Sequence, residues 1–416
     1  MYPIHSQVNS SNYGEEYLGY IRGFPMVIFM IKKSRFNPQC ITYSQMDMIF
    51  NARIYYRRLT TWTRAYLLSR YFGVGTAEEL FNRLYFESLE IGNMLQIIFG
   101  RQYSEEYSQL LSQFVIPLSE LITAQLAGDS EGVSEELERI YTNIHERAVY
   151  LETMNPYWSQ TEYENLLDTY TQYILEEANA LTSGDYTRDI QIYDQLNAHT
   201  NRMGDVFAEG LYDYITSGSQ GSAVPGSDGV QCITYDQMNA IYGIRMFWFE
   251  LATWVRNYML SRYMGLGNTE EVYERLLQVP VEYVNVLRQI FGESVAGEYV
   301  NLFYVYIDLI DAFITAQLEG NIEEIDRITQ QLYQNANERA AFISSINPFW
   351  SEEEWRNRLY TNLRSTIDES TSFLLGDYGK NIDIFSRLLD QAESTSTYFA
   401  QGLFDYIYQQ QALRLR

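Results

Sequence analysis

Histidine is scarce in this chain. His5, His145 and His199 are the only three among 416 residues. No Glu-x-x-His pair occurs, which disfavours a ferritin-type di-metal site. Lysine is rarer than its charge class suggests, occurring only at Lys32, Lys33 and Lys380. Schiff-base and P-loop chemistry therefore lack their central residue, and Gly376-Asp377-Tyr378-Gly379-Lys380 has the wrong spacing for a phosphate loop. Cysteine is limited to Cys40 and Cys232, with no Cys-x-x-Cys pair. Equivalent residues of a two-fold pair meet only on the axis, and most positions lie off it. Two free thiols are expected, and with them a reducing, cytoplasmic setting. No nucleophile elbow or dinucleotide fingerprint is present. No cofactor, no metal site and no catalytic residue is indicated. The apolar run Phe24 to Ile31 is too short to span a bilayer, and no cleavage site follows it. Neither a signal peptide nor a transmembrane segment is expected.

Acidic residues are abundant, and the formal charge is −25. A nucleic-acid backbone is a poor partner for such a surface. Nearly all the basic residues are arginine, which pairs with carboxylates in a planar fork and is less costly to bury than an ammonium. Internal Arg–Glu networks are expected. Sparse proline and glycine, with abundant Leu, Ala, Glu, Gln and Tyr, favour helix.

One stretch occurs twice: Met-Asn-Pro-Tyr-Trp-Ser-Gln-Thr-Glu-Tyr at 154–163 and Ile-Asn-Pro-Phe-Trp-Ser-Glu-Glu-Glu-Trp at 346–355. Pro348 pushes Asn347 out of the α region and stops one helix. Ser351 then caps the next, with Glu354 placed to complete a capping box; Ser159 and Glu162 repeat the device. The aromatic pair before each cap is placed to staple the corner. Around these corners the whole chain repeats. Cys-Ile-Thr-Tyr-Ser-Gln-Met at 40–46 matches Cys-Ile-Thr-Tyr-Asp-Gln-Met at 232–238, an offset of 192 residues (232 − 40), and no gap interrupts it as far as Asp213-Tyr214-Ile215 against Asp405-Tyr406-Ile407. The pattern reads as an all-α protein of two tandem antiparallel helical bundles. Residues 1–39 form an N-terminal arm, 40–215 the first bundle, 216–229 a flexible Gly/Ser-rich linker and 230–416 the second bundle.

Within one repeat, Thr42 with Gln45 opens a long helix to about Tyr71. Thr76 with Glu79, and Asn268 with Glu271, open a short helix, and another short one reaches Phe99-Gly100. Longer helices follow from about Glu105 to Leu126, from Asp129 to the Asn-Pro corner, from Ser159 to Leu181, and from Asp185 to Ile215.

Both repeats keep a polar set on otherwise apolar faces: Trp62-x-Arg64 with Trp254-x-Arg256, Arg70 with Arg262, Arg83 with Arg275, Glu90 with Glu282, Gln125 with Gln317, Arg147 with Arg339 and Glu177 with Glu369. Arg64, Arg70, Glu177, Arg256, Arg262 and Glu369 are the candidate binding residues. As a buried ion-pair network they fix helix register; as a pocket between helices they bind an anion or small ligand.

Tyr333-x-Asn335-Ala336-Asn337-Glu338, Ile346-Asn347-Pro348-Phe349-Trp350-Ser351, Gly376-Asp377-Tyr378, Trp254-x-Arg256 and Arg275-Leu276-Leu277-x-x-Pro280 resemble a family of uncharacterised helical proteins of spore-forming Gram-positive bacteria. The resemblance covers both repeats, whereas family members are typically one repeat long. Some members carry an acetylglutamate kinase label, for which this chain lacks the α/β alternation and phosphate loops. The resemblance implies histidines at the positions of Leu59 and Leu251, Phe114 and Tyr306, and Tyr170 and Asn362. This chain has none of them, which moves weight from metal chemistry to a structural role.

The expected function is a non-catalytic structural or protein-interaction protein, linked to sporulation through the resemblance alone. A small-ligand- or anion-binding bundle is the alternative. The apolar arm, flanked by Lys32, Lys33 and Arg35, is expected to mediate self-association or contact with another protein.

Overall fold

Thr42 begins the first helix as its sequence demands. In the computed structural model, which describes residues 39–217 and 231–414, its hydroxyl accepts from the Gln45 amide while the Gln45 side chain accepts from the Thr42 amide. Thr234 and Gln237 form the same reciprocal cap. The elements run β1 (Ile41–Thr42), α1 (Tyr43–Tyr71), α2 (Ala77–Phe99), α3 (Arg101–Ala127), α4 (Ser130–Met154), α5 (Gln160–Ser183) and α6 (Tyr186–Ser217). There follow β2 (Cys232–Ile233), α7 (Tyr235–Met264), α8 (Thr269–Phe291), α9 (Glu293–Glu319), α10 (Ile322–Ile346), α11 (Glu352–Leu375) and α12 (Tyr378–Arg414). The fold is all-α, and its helices pack as antiparallel bundles. The arm up to residue 38 and the linker residues 218–229 lie outside the described residues.

Left-handed glycines Gly128, Gly184, Gly320 and Gly376 close α3, α5, α9 and α11. Asp129 and Asn321 cap the helices after the first and third of these turns. Two expectations fail locally. The pair of short helices after Thr76 is one continuous helix, α2, with α8 as its counterpart. Thr76 and Asn268 do not cap it; Thr76 bonds the Ser69 hydroxyl and Asn268 accepts from Ser261. The Asn-Pro corners make only half a capping box. Ser159 and Ser351 accept from the amides of Glu162 and Glu354, while the glutamate side chains reach Arg202 and Arg358 instead.

The tryptophan of each corner is the staple. Trp158 donates to the Phe207 carbonyl, and Asn155 to that of Gly210. A Cβ on Gly210 would collide with the Trp158 ring, and one on Gly402 with Trp350. Glycine at these two positions lets α6 and α12 approach the corners.

Consecutive helices pack on each other, and α6 closes back onto α1 as α12 does onto α7. The central helices α1 and α7 also touch each other, so they are buried around most of their circumference. Residues 39–217 and 231–414 belong to a single compact unit, so the two bundles are halves of one body. Helices α3 and α9 are long and apolar enough to cross a membrane by length and composition. Here each packs between two neighbours, and exposed positions such as Glu105, Glu106 and Glu298 are acidic.

Cys40 and Cys232 are joined in a disulfide, with Cα atoms 5.0 Å apart. The expectation of two free thiols is therefore overturned. β1 and β2 pair antiparallel, with Ile41 opposite Ile233. Two residues 192 apart face each other there, so a local two-fold axis runs through this point and the cysteines beside it are among the few equivalents able to meet.

Candidate functional site

Arg64 lies on the innermost helix, α1, and is buried. Its guanidinium binds Asp189 in a fork, at 3.0 and 2.8 Å, and reaches Glu177 at 2.5 Å. The ring of Tyr193 lies over it at 4.5 Å. One arginine thus ties α1 to α5 and α6. In the second half Arg256 binds Glu369 at 2.6 Å, but position 381 holds Asn, whose Oδ1 lies at 2.6 Å.

That single difference changes the electrostatics. Burial lowers the pKa of Arg64, but Asp189 and Glu177 outweigh it and the net shift is upward. Burial dominates at Arg256, whose pKa falls below its ordinary value although Glu369 opposes this. Burial pushes Glu369 up to about 7 against the pull of Arg256. It pushes Glu177 up to about 8 against Arg64, with Asp189 adding to the rise. Two carboxylates sharing one buried cation favour keeping a proton between them.

Arg70 and Arg262 are half-buried and differ in their partners. Arg70 bonds the Tyr66 hydroxyl at 2.8 Å and Thr123 at 2.9 Å, with no carboxylate. Arg262 bonds Tyr258 and Thr315 and pairs with Asp311. The expected pairing of Arg70 with a carboxylate is absent because Ser119 stands where the second half has Asp311. The six candidate residues therefore form separate sets: Arg64–Glu177 and Arg256–Glu369 in the cores, and Arg70 and Arg262 at the α1–α3 and α7–α9 seams.

Leu251, Tyr306 and Asn362 line one cavity beside Glu369, and its free volume is about 10 Å³. That is room for a single water at most. Deeper in each core Arg147 and Arg339 have no ion pair among the described residues. Arg339 lies 4.4 Å from the centroid of Tyr306 and 5.0 Å from that of Phe303. Burial pushes its pKa down to about 10.

Sequence reading missed the charged seam between the halves. Arg57 pairs with Glu250, both buried. Arg53 binds Asp205 at 2.6 Å, and Arg58 binds Glu87 at 2.7 Å and Asp390 at 2.8 Å. Arg275 binds Asp194 across the seam at 3.0 Å and Glu282 within its own helix at 3.0 Å. A signal was present: α1 carries Arg53, Arg57, Arg58 and Arg64 but only one acid, Asp47. These four arginines find carboxylates on other helices, whereas Arg70, also on α1, bonds hydroxyls only.

No protein-family model matches the chain, and comparison with curated proteins and with solved structures likewise finds no match.

Proposed function

We propose that the chain is a non-catalytic structural or protein-interaction protein, a rigid scaffold that self-associates through its N-terminal arm. The carrying observation is that Arg64, buried in the core, has both terminal guanidinium nitrogens bound by Asp189 and Glu177 of its own chain. Such a pair fixes the register of three helices, whereas a binding arginine needs space in front of it. The volume beside Glu369 admits one water at most, which weighs against ligand binding by the repeated Arg/Glu sets. The two halves, which repeat the same helix order at one spacing, are read as a tandem duplication. The resemblance to proteins of spore-forming bacteria supports a sporulation-linked role. A cytoplasmic location rested on free thiols; the bridge favours an oxidising setting instead.

The test is light scattering coupled to gel filtration, on the full chain and on a chain lacking residues 1–39. The full chain is expected to form an oligomer and the deletion a monomer with unchanged helical circular dichroism. Monomers in both cases, or the same oligomer in both, would refute the role given to the arm.

A further inference from the structure

The seam between the halves opens into a cleft of about 280 Å³, near the lower end of small-ligand sites. Its wall holds polar groups that no internal contact uses. Asn197 is 3 % exposed, yet neither its amide oxygen nor its nitrogen has a hydrogen-bond partner. An amide buried in that way is costly. Packing does not require it, because the equivalent position in the other half is Leu389, fully buried. Arg275, also lining the cleft, uses Nε and Nη2 on Asp194 and Glu282 and leaves a buried Nη1 unpartnered.

Gly243 adds a second, independent feature. It sits inside α7, where glycine is unfavourable. A Cβ placed there would meet nothing within 4 Å. Neither packing nor backbone conformation demands glycine at this position, and its absent side chain keeps the cleft open. Across the two-fold the equivalent positions are chemically different: Leu389, Asp390 and Glu393 replace Asn197, Ala198 and Asn201, and Arg58 replaces Glu250 and binds Glu87 and Asp390. Among the described residues the combination of an unpartnered Asn197 amide with Arg275 is not repeated in the other half, where Leu389 stands.

Charge narrows the ligand. Asp194, Glu250 and Glu282 outnumber Arg57 and Arg275 along the wall, which opposes a dianion. Unused N–H donors call for a carboxylate, and the carboxylates of Asp194 and Glu282 call for a cation. We propose that this cleft binds a small zwitterion of amino-acid size, its carboxylate toward Arg275 and the Asn197 amide and its ammonium toward the acidic rim.

The experiment is thermal-shift titration of the full chain with each common α-amino acid and with betaine, with phosphate and sulfate as anion controls. Calorimetry on any hit gives the stoichiometry. At least one zwitterion is expected to raise the melting temperature saturably and to bind once per chain. Asn197→Leu and Gly243→Leu are expected to weaken that binding about tenfold or more, with unliganded melting temperatures equal to or above that of the parent. If Asn197→Leu does not fold, Gly243→Leu decides alone. No shift with any zwitterion, a shift with phosphate or sulfate only, or undiminished binding in the folded variants would overturn the proposal. Deleting residues 1–39 leaves this binding in place, so its failure is separable from failure of the self-association reading.

Discussion

Phe50 and Tyr242 meet ring to ring, 5.1 Å between centroids, and their positions differ by the same 192 residues (242 − 50) that separate Cys40 from Cys232. Around them the contacts repeat in crossed pairs. Arg53 lies over Tyr242 at 4.5 Å and Arg245 over Phe50 at 5.1 Å. Farther along, Trp62 packs on Phe385 and Trp254 on Tyr193. The disulfide, the Ile41–Ile233 bridge and this ring pair mark one axis, and the interface between halves is built around it.

The Arg64 set makes the first prediction. Arg64→Leu leaves Glu177 and Asp189 together in a buried core, and breaking a buried pair in that way costs about 3–5 kcal/mol. Asp189→Asn copies the second half, where Asn381 accepts from the arginine, and is expected to change stability by about 1 kcal/mol or less. Denaturant unfolding measures both; equal losses would show that the pairing is not what stabilises this core.

The same residues set a pH dependence. Glu177 is raised from 4.5 to about 8 and Glu369 from 4.5 to about 7 by burial. The folded state therefore binds these protons more tightly than the unfolded chain. Their contribution is fully present below about 4.5 and is lost as pH rises through about 7 and 8. Glu177→Gln and Glu369→Gln together should flatten the dependence of stability on pH across this window. An unchanged slope in the double variant would remove these two groups as its source.

Arg339 carries its charge among aromatic rings without a carboxylate. Arg339→Met, similar in length and without charge, is expected to raise the melting temperature, because removing an unpaired buried charge removes a desolvation cost. Clear destabilisation by calorimetry would mean that the ring contacts outweigh that cost.

Much of the fold was legible because helix ends are local chemistry. Thr42 with Gln45, Gly128 before Asp129 and Ser351 after the Asn-Pro corner each act within a few residues. The break expected inside α2 was not real. Pro280 lies inside α8, and both α2 and α8 run unbroken. The Arg64–Glu177 pair was legible from two charges retained on apolar faces. Asp189 was not, since a carboxylate in a first turn reads as a partner for the helix dipole. The disulfide and the cleft were hidden for another reason: which equivalent residues meet depends on where the two-fold axis runs, and no local pattern carries that.

The corner staple is the next prediction. Gly210→Ala or Gly402→Ala drives a methyl group into Trp158 or Trp350. Overpacking of this kind costs about 1–3 kcal/mol. Gly297→Ala, in open space on α9, serves as the control and should be neutral or stabilising. Equal stability of all three variants would contradict the staple.

The pairing of halves about one axis is tested most directly by counting thiols. Protein alkylated at harvest, then denatured without reductant, should show no further labelling and a mass free of adducts. Reduction should then expose both Cys40 and Cys232. Alkylation of both cysteines before any reductant is added would contradict the bridge and the placement of the axis that rests on it.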